Sequence, residues 1–548
     1  MLPRYGEPMH TGGAETRAGG AVLGIAAALA VLGIAELVAA FVNPRSSPVF
    51  AVGSLAIDLA PSWVKDSMIS LFGTADKVAL FVILGVVLLV LAIVAGAVEV
   101  AWRGFGMVVL IGVSAVALLA ILTRAEATPL WALPTGLGTI AGLWVLHRGR
   151  PKAVAWRAAV VSRNAESAPA ALRDEPGPHR SAGVVHPKQR SAKFERRSFL
   201  VFVGATSAAA LIVGVGARVK NAGSAAYLAA RSAIRLPAPA TAAPAVQAGA
   251  QLDVPGISPL ITPNADFYRI DIALQVPRID PSAWRLEISG LVDTPMTITY
   301  DELLALPLEE HITTIACVSN TVGGDLIDTA TWLGYPIREL LERAGVSRDA
   351  DMVLSSGPDG FTAGTPLETL TDPDRYALLA VGMNGEPLPA EHGFPARLIV
   401  PGLYGYVSAT KWVTRLEVTR FADAEGYWTP RGWSELGPIK TASRIDTPRS
   451  GANASGDTIA IAGVAWAQHT GIDRVEVQVD GGEWQQATLA SAISDDTWVQ
   501  WTLAWPSSPG RHTARVRATD RSGYTQTAAT APPPPNGATG WDSVEFTV

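Results

Sequence analysis

The chain has 548 residues, 49% hydrophobic and only 17% charged, with a mean hydropathy of +0.25; this excludes an ordinary soluble protein and points to a membrane part joined to a globular part. A formal net charge of -6 and a pI of about 5.8 argue against nucleic acid as a partner. A single cysteine, Cys317, excludes an internal disulfide framework.

The apolar excess lies in the first 220 residues. Gly20–Val42, Val78–Val98, Gly106–Leu122 and Leu130–Leu146 each approach the length needed to cross a hydrocarbon core, predicting a four-helix membrane region over 1–147. Pro48–Phe72 carries Asp58, Lys65 and Asp66 and reads as an external loop with a short amphipathic or re-entrant helix. Glu36 is a candidate for a quinone- or proton-linked role, whereas Glu99, near Arg103, reads as interfacial. His147, at a span end, is the only histidine near a span, so no haem is predicted in the bundle.

Residues 148–198 are basic and read as a cytoplasmic linker. A fifth transmembrane helix is predicted over 199–219, with everything after it on the extracytoplasmic side of the plasma membrane. Just before it, Glu195-Arg196-Arg197-Ser198-Phe199-Leu200 resembles a twin-arginine export signal, with Glu195 in place of the usual Ser or Thr. That route carries folded proteins, which suits a domain loaded with a cofactor before export.

Residues 220–251, ending in the Ala/Pro-rich run Leu236–Gln251, read as a linker, with order beginning near Leu252. From there to 436 the texture is α+β: strands at Trp284–Gly290, His311–Ile315, Met352–Ser355 and Arg397–Val400, and helices at Tyr300–Leu306 and Tyr335–Gly345, the latter opened by Pro336 and closed by Gly345. Over 437–548, alternating runs at Thr458–Gly463, Arg474–Asp480, Trp498–Leu503 and Arg511–Ala518 read as an immunoglobulin-like β-sandwich for packing or dimerisation, so a homodimer is expected.

Three Gly/Pro-rich segments, Thr262–Asp271, Met383–Arg397 and Pro401–Trp412, carry Arg, Lys, His, Tyr and Asn where loops would meet. Loops of this kind let backbone approach an anion while cations neutralise it. Together with Cys317 they resemble the sulfite oxidase family of molybdenum enzymes, from about Asn264 through Val418 and on into the C-terminal module. The resemblance implies molybdenum with molybdopterin as cofactor, a small-molecule substrate, and a separate electron carrier or quinone pool. It implies Cys317 as the thiolate ligand of molybdenum and the catalytic residue. It assigns Asn264, Tyr268, Arg269, Ser356, His392, Arg397, Ser408 and Lys411 to the pterin and its phosphate. Two departures stand out: Cys317-Val-Ser-Asn-Thr321 lacks the arginine that sulfite-oxidising members place soon after the cysteine, and Phe361 stands where they carry a tyrosine. The substrate is therefore left open between sulfite and a sulfoxide or other oxide. The alternative to an enzyme is a non-catalytic surface scaffold with a degenerate oxidoreductase domain.

Overall fold

The computed structural model describes residues 13–43, 46–61, 64, 67–68, 71–72, 76–124, 127–166, 192–222 and 225–548. They form two units, one drawn from the chain before Ala225 and the other holding Ala225–Val548.

The first unit is a helix bundle: α1 (Gly13–Val42), α2 (Pro48–Leu59), α3 (Asp76–Ala101), α4 (Phe105–Leu122), α5 (Ala132–Glu166) and α6 (Ala192–Ala222). Among the described residues, four stretches are long and apolar enough to cross a membrane: Ala18–Val42, Lys77–Ala101, Phe105–Leu122 and Pro129–Ala158. On α6 the qualifying apolar stretch, Arg197–Ile212, is shorter. Close packing of α1 on α3 rests on small residues: a Cβ on Gly24 would run into Ala92 O, and one on Gly96 into Gly20 O. Along α3, Val82, Ile83, Val86, Val87 and Val90 face outward, a surface suited to lipid rather than water.

One expectation is refined here, and the short helix expected after the first span is present. The basic segment after the fourth span continues as helix α5 to Glu166, through Pro151, before residues 167–191, which lie outside the described residues. Pro48–Leu59 is a regular helix with Pro at its first position. Glu99, at the end of α3, is buried within the bundle: its carboxylate accepts the N–H groups of Gly104 (3.1 Å) and Met107 (3.3 Å), capping the start of α4, where the helix dipole favours a negative charge. Glu36 is also buried and accepts the Ser47 hydroxyl.

The second unit begins at the helix Ala225–Ala233, earlier than composition suggests. Arg231 donates to Pro387 O (2.6 Å) and Leu388 O (2.8 Å), and Tyr227 packs edge-on to Phe394. The following Ala/Pro run is pinned to a strand edge, Ala240 N–H donating to Leu308 O (2.7 Å). The unit's first ten strands are β1 (Arg285–Gly290), β2 (Met296–Thr299), β3 (Glu309–Ala316), β4 (Ile327–Pro336), β5 (Met352–Ser356), β6 (Thr362–Pro366), β7 (Leu378–Met383), β8 (Glu386–Pro387), β9 (Arg397–Ile399) and β10 (Arg415–Thr419). One sheet has the order β2-β1-β10-β5-β6, with β1 and β10 parallel in the register Glu287 to Arg415. The other has the order β3-β4-β7-β8, with β9 paired to β7. The helix Tyr300–Leu304 opens with a reciprocal Thr299/Glu302 capping box. The helix Ile337–Ala344 buries Ile337, Leu340, Leu341 and Ala344 and ends at Gly345, whose φ of 69° explains the glycine. Trp284, Trp332 and Trp412 fill the core between these elements.

Eight more strands complete the unit: β11 (Ala442–Thr447), β12 (Thr458–Trp466), β13 (Ile472–Val479), β14 (Trp484–Gln486), β15 (Thr488–Leu489), β16 (Val499–Pro506), β17 (Arg511–Asp520) and β18 (Asp542–Thr547). They make two antiparallel sheets, β11-β12-β16-β15 and β14-β13-β17-β18, the sandwich that the alternating pattern predicts. Trp498, just before β16, donates its backbone N–H to Thr314 Oγ1 (2.8 Å) and its indole N–H to Leu260 O (2.9 Å), tying the sandwich to β3.

Candidate cofactor and active site

Buried strand β3 delivers the chain to Cys317, which is half-buried. The loop that follows closes on its own backbone. Cys317 N–H donates to Leu326 O (2.9 Å), Asn320 N–H to Cys317 O (3.1 Å), and Leu326 N–H to the Asn320 side-chain oxygen (3.0 Å). On the returning strand β4, Asp328 accepts the Thr262 hydroxyl (3.0 Å) and the Tyr268 N–H (2.7 Å), which draws Thr262–Asp271 alongside. Burial pushes Asp328 up to about 6 despite those donors. Burial also holds the Tyr268 phenol well above its ordinary range, with Cys317 the next contribution. Tyr404, pushed up to about 12 by burial, feels Cys317 as well.

A second group converges from the other loops. Asn264 Nδ2 donates to Met383 O (3.2 Å) and Glu386 Oε1 (2.6 Å), and its side-chain oxygen accepts from Asn384 (2.8 Å). His392 Nε2 lies 3.2 Å from Asn264 O. A carbonyl only accepts, so Nε2 carries the hydrogen and Nδ1 holds a lone pair; Nδ1 is buried without a partner. Burial, then Lys411 and Arg397, push His392 down to about 3, so it is neutral. Arg397 is 3% exposed; one Nη donates to His392 O (3.1 Å), and the guanidinium lies over the Trp332 ring at 5.1 Å. Lys411 Nζ donates to Glu391 O (3.0 Å) and pairs with Asp271 (3.2 Å), which Arg269 also binds (3.0 Å). Burial pushes Lys411 down to about 8, with Arg397 acting in the same direction against Asp271. Gly393, at φ 113°, permits this closeness: a Cβ there would sit 3.0 Å from the Arg397 side chain and 3.2 Å from Lys411.

Two predicted residues behave differently. Ser356 ends β5, and a Cβ on its neighbour Gly357 would lie 2.8 Å from Lys411 O, so this turn abuts the cationic loop. Ser408 is buried, but its hydroxyl donates to Leu403 O (3.2 Å) and Tyr404 O (2.9 Å), spending its donor on its own turn.

Residues 273–428 match the family model described as an oxidoreductase molybdopterin binding domain, and residues 442–516 match that of a bacterial Ig domain. The sulfane dehydrogenase SoxCD of Paracoccus pantotrophus aligns at 24% identity over 52% of this chain and 81% of that one, with a TM-score of 0.45. Mouse mitochondrial sulfite oxidase is 31% identical over 271 residues, 42% of this chain and 49% of that one. YuiH, an uncharacterized oxidoreductase of Bacillus subtilis, is 35% identical over 158 residues, 29% of this chain but 76% of that one. The chain belongs to the sulfite oxidase family of molybdopterin-dependent oxidoreductases. It spans about half the length of the mammalian sulfite oxidases it matches. These relatives support reading the second unit as an oxidoreductase of the sulfite oxidase type, its substrate open.

The residues present fit the family's cofactor. Arg397 is buried, and among the described residues no carboxylate pairs with it. Leaving a buried charge unmatched costs several kcal/mol, so the pocket suits an anion such as the pterin phosphate. His392 Nδ1 is a buried acceptor awaiting an N–H, and Cys317 is a soft donor suited to a sulfur-rich metal. Sequence reasoning missed Asp271, Asp328, Trp332 and Tyr404. A carboxylate within the apolar strand Ile327-Asp-Thr-Ala-Thr-Trp332 was the available signal for Asp328.

Proposed function

We propose that the chain is a membrane-anchored oxidoreductase that ligates molybdenum through Cys317 and seats molybdopterin on Asn264, Tyr268, Arg269, Ser356, His392, Arg397 and Lys411. Ser408, whose hydroxyl donates within its own turn, has its oxygen lone pairs to offer the cofactor. The observation that carries this reading is Arg397, buried beside an acceptor histidine and, among the described residues, without a paired carboxylate. When bound, the cofactor supplies two-electron oxygen-atom chemistry. The chain's own residues position and neutralise. Arg397 takes the phosphate charge while Trp332 keeps its guanidinium flat. Neutral His392 would offer Nδ1 as an acceptor to a pterin N–H. Asp271 divides its charge between Arg269 and Lys411, so neither is fully offset before an anion arrives. Burial keeps the Tyr268 and Tyr404 phenols protonated through neutral pH.

The substrate reading follows from what the cysteine loop lacks. Val318-Ser-Asn-Thr321 offers no guanidinium to a sulfite dianion, so a small neutral sulfoxide or N-oxide suits the site better. Sulfite oxidation is the second reading, favoured by the likeness to mitochondrial sulfite oxidases. The four apolar helices, the basic connector and the Arg196-Arg197 pair support a fifth span in α6 and an extracytoplasmic catalytic unit. Electrons then pass to or from a separate carrier or quinone pool, and the sandwich is free to pair two copies.

The test uses the full chain, purified in detergent from a host that makes the pterin. We expect about one molybdenum per chain and about three sulfur donors by X-ray absorption, falling by one in Cys317→Ser. Full-length protein devoid of molybdenum sinks the reading. Turnover of a panel of oxides with reduced methyl viologen, against ferricyanide-linked sulfite oxidation, separates the two substrates.

A further inference from the structure

The Cys317 loop is gripped from the sandwich. Arg444, on β11, is 6% exposed, and all three of its nitrogens are engaged. Nε binds Asp446 Oδ1 (2.7 Å), Nη2 donates to Ser258 Oγ (2.8 Å), and Nη1 donates to Gly324 O (2.8 Å), a carbonyl inside the loop that Cys317 opens. Asp446 also accepts Ser258 N–H (2.9 Å), so arginine, aspartate and serine form a closed frame. A second grip lies beside it: Asp542, on β18, accepts Ile445 N–H (2.8 Å). Gly323, at φ 72°, lies so close to it that a Cβ would run into Asp542 Oδ1. A buried ion pair is weak evidence of net stability, because desolvation offsets its attraction. A planar guanidinium with three fixed partners instead confers geometry, which a lysine ammonium cannot reproduce.

We propose that Arg444 is a positioning residue: fixed by Asp446 and Ser258, it holds Gly324 O and so sets the Cys317 loop and the direction of its sulfur. This gives the sandwich a role within one chain, beyond pairing two chains. The importance of that sulfur's direction rests on the cofactor reading above; the mechanical claim does not.

Cys317 is the only cysteine, so thiol chemistry on the full chain reads this loop alone. In full-length, cofactor-free protein from a pterin-deficient host, the iodoacetamide alkylation rate should rise about tenfold in Arg444→Ala and about threefold in Arg444→Lys, since opening of the loop is no longer opposed by the Gly324 tether. Arg511→Ala, at an exposed pair with Glu545, should alkylate at the wild-type rate. In loaded protein, Arg444→Lys should shift the Mo(V) electron paramagnetic resonance signal, a readout that a merely stabilising residue would not move. Wild-type alkylation and an unshifted signal in both Arg444 variants would overturn the proposal, as would equal acceleration in Arg511→Ala. Should Arg444→Ala fail to fold, Arg444→Lys decides alone, and a wild-type rate there overturns it. Failure of the cofactor reading would show instead as missing molybdenum in the wild type, with the thiol rates intact.

Discussion

Arg397 sits where burial, a stacked indole and, among the described residues, the lack of a paired carboxylate leave its charge to be answered by a ligand. Arg397→Gln should therefore lower molybdenum and pterin content per purified chain by about tenfold or more, with Arg397→Lys intermediate because it keeps the charge but loses the planar fork. A wild-type load in the glutamine variant would move the phosphate seat elsewhere. The residues that could be named from sequence, Asn264, His392, Arg397 and Lys411, are polar groups in Gly/Pro loops, where a fold rarely keeps them for packing alone. Asp271, Asp328 and Tyr404 escaped notice because their meaning lies in partners far along the chain: Lys411 for Asp271, Tyr268 for Asp328 and Cys317 for Tyr404. Ser408 illustrates what sequence cannot show about a side chain's existing partners. It lies in the right loop, but the i−4 carbonyl of Tyr404 takes its hydroxyl.

Elements with strict period two were the easiest to read, and β12, β13, β16 and β17 fall where alternation puts them. Ala/Pro-rich 236–251 was the hardest, since its order comes from an edge hydrogen bond to Leu308 that composition does not encode. On β17, His512 makes a different kind of contact. Its Nδ1 lies 2.7 Å from Asp480 Oδ2 and its Nε2 2.7 Å from Ser508 O, between the rings of Trp505 and Phe546. Both nitrogens face acceptors, so the doubly protonated ring fits best, and the bond to Asp480 raises His512 above its ordinary value. A raised histidine adds stability that is fully present below its unfolded value and is lost as pH rises through the folded one. The sandwich should therefore unfold a few degrees lower at roughly pH 9 than at roughly pH 6, as read by thermal denaturation. His512→Gln should remove that difference; a variant that keeps the wild-type slope would assign it to another group.

At the scale of the molecule, each unit's hydrophobic clusters draw on its own residues: Leu23, Val145, Phe199 and their neighbours before Ala225, and Trp284, Trp332, Trp498 and Trp501 with theirs after it. A unit with its own core and its own satisfied strands folds independently. The helix Ala225–Ala233 belongs to that second core, through Tyr227 against Phe394 and Arg231 on the Pro387 and Leu388 carbonyls, so a fragment cut at Leu252, where composition places the boundary, would leave those carbonyls and that ring uncovered. The fragment Ala225–Val548 should be monodisperse without detergent, melt in the same transition as the second unit of the full chain, and carry the same molybdenum load when expressed in the cytoplasm of a pterin-making host. The fragment Leu252–Val548 should melt lower by several degrees, since burial of an aromatic side chain and two charge-assisted hydrogen bonds together contribute about 3 kcal/mol or more. Equal melting of the two fragments would show that the helix merely rests on the second core, and aggregation of both would show that this core depends on the bundle.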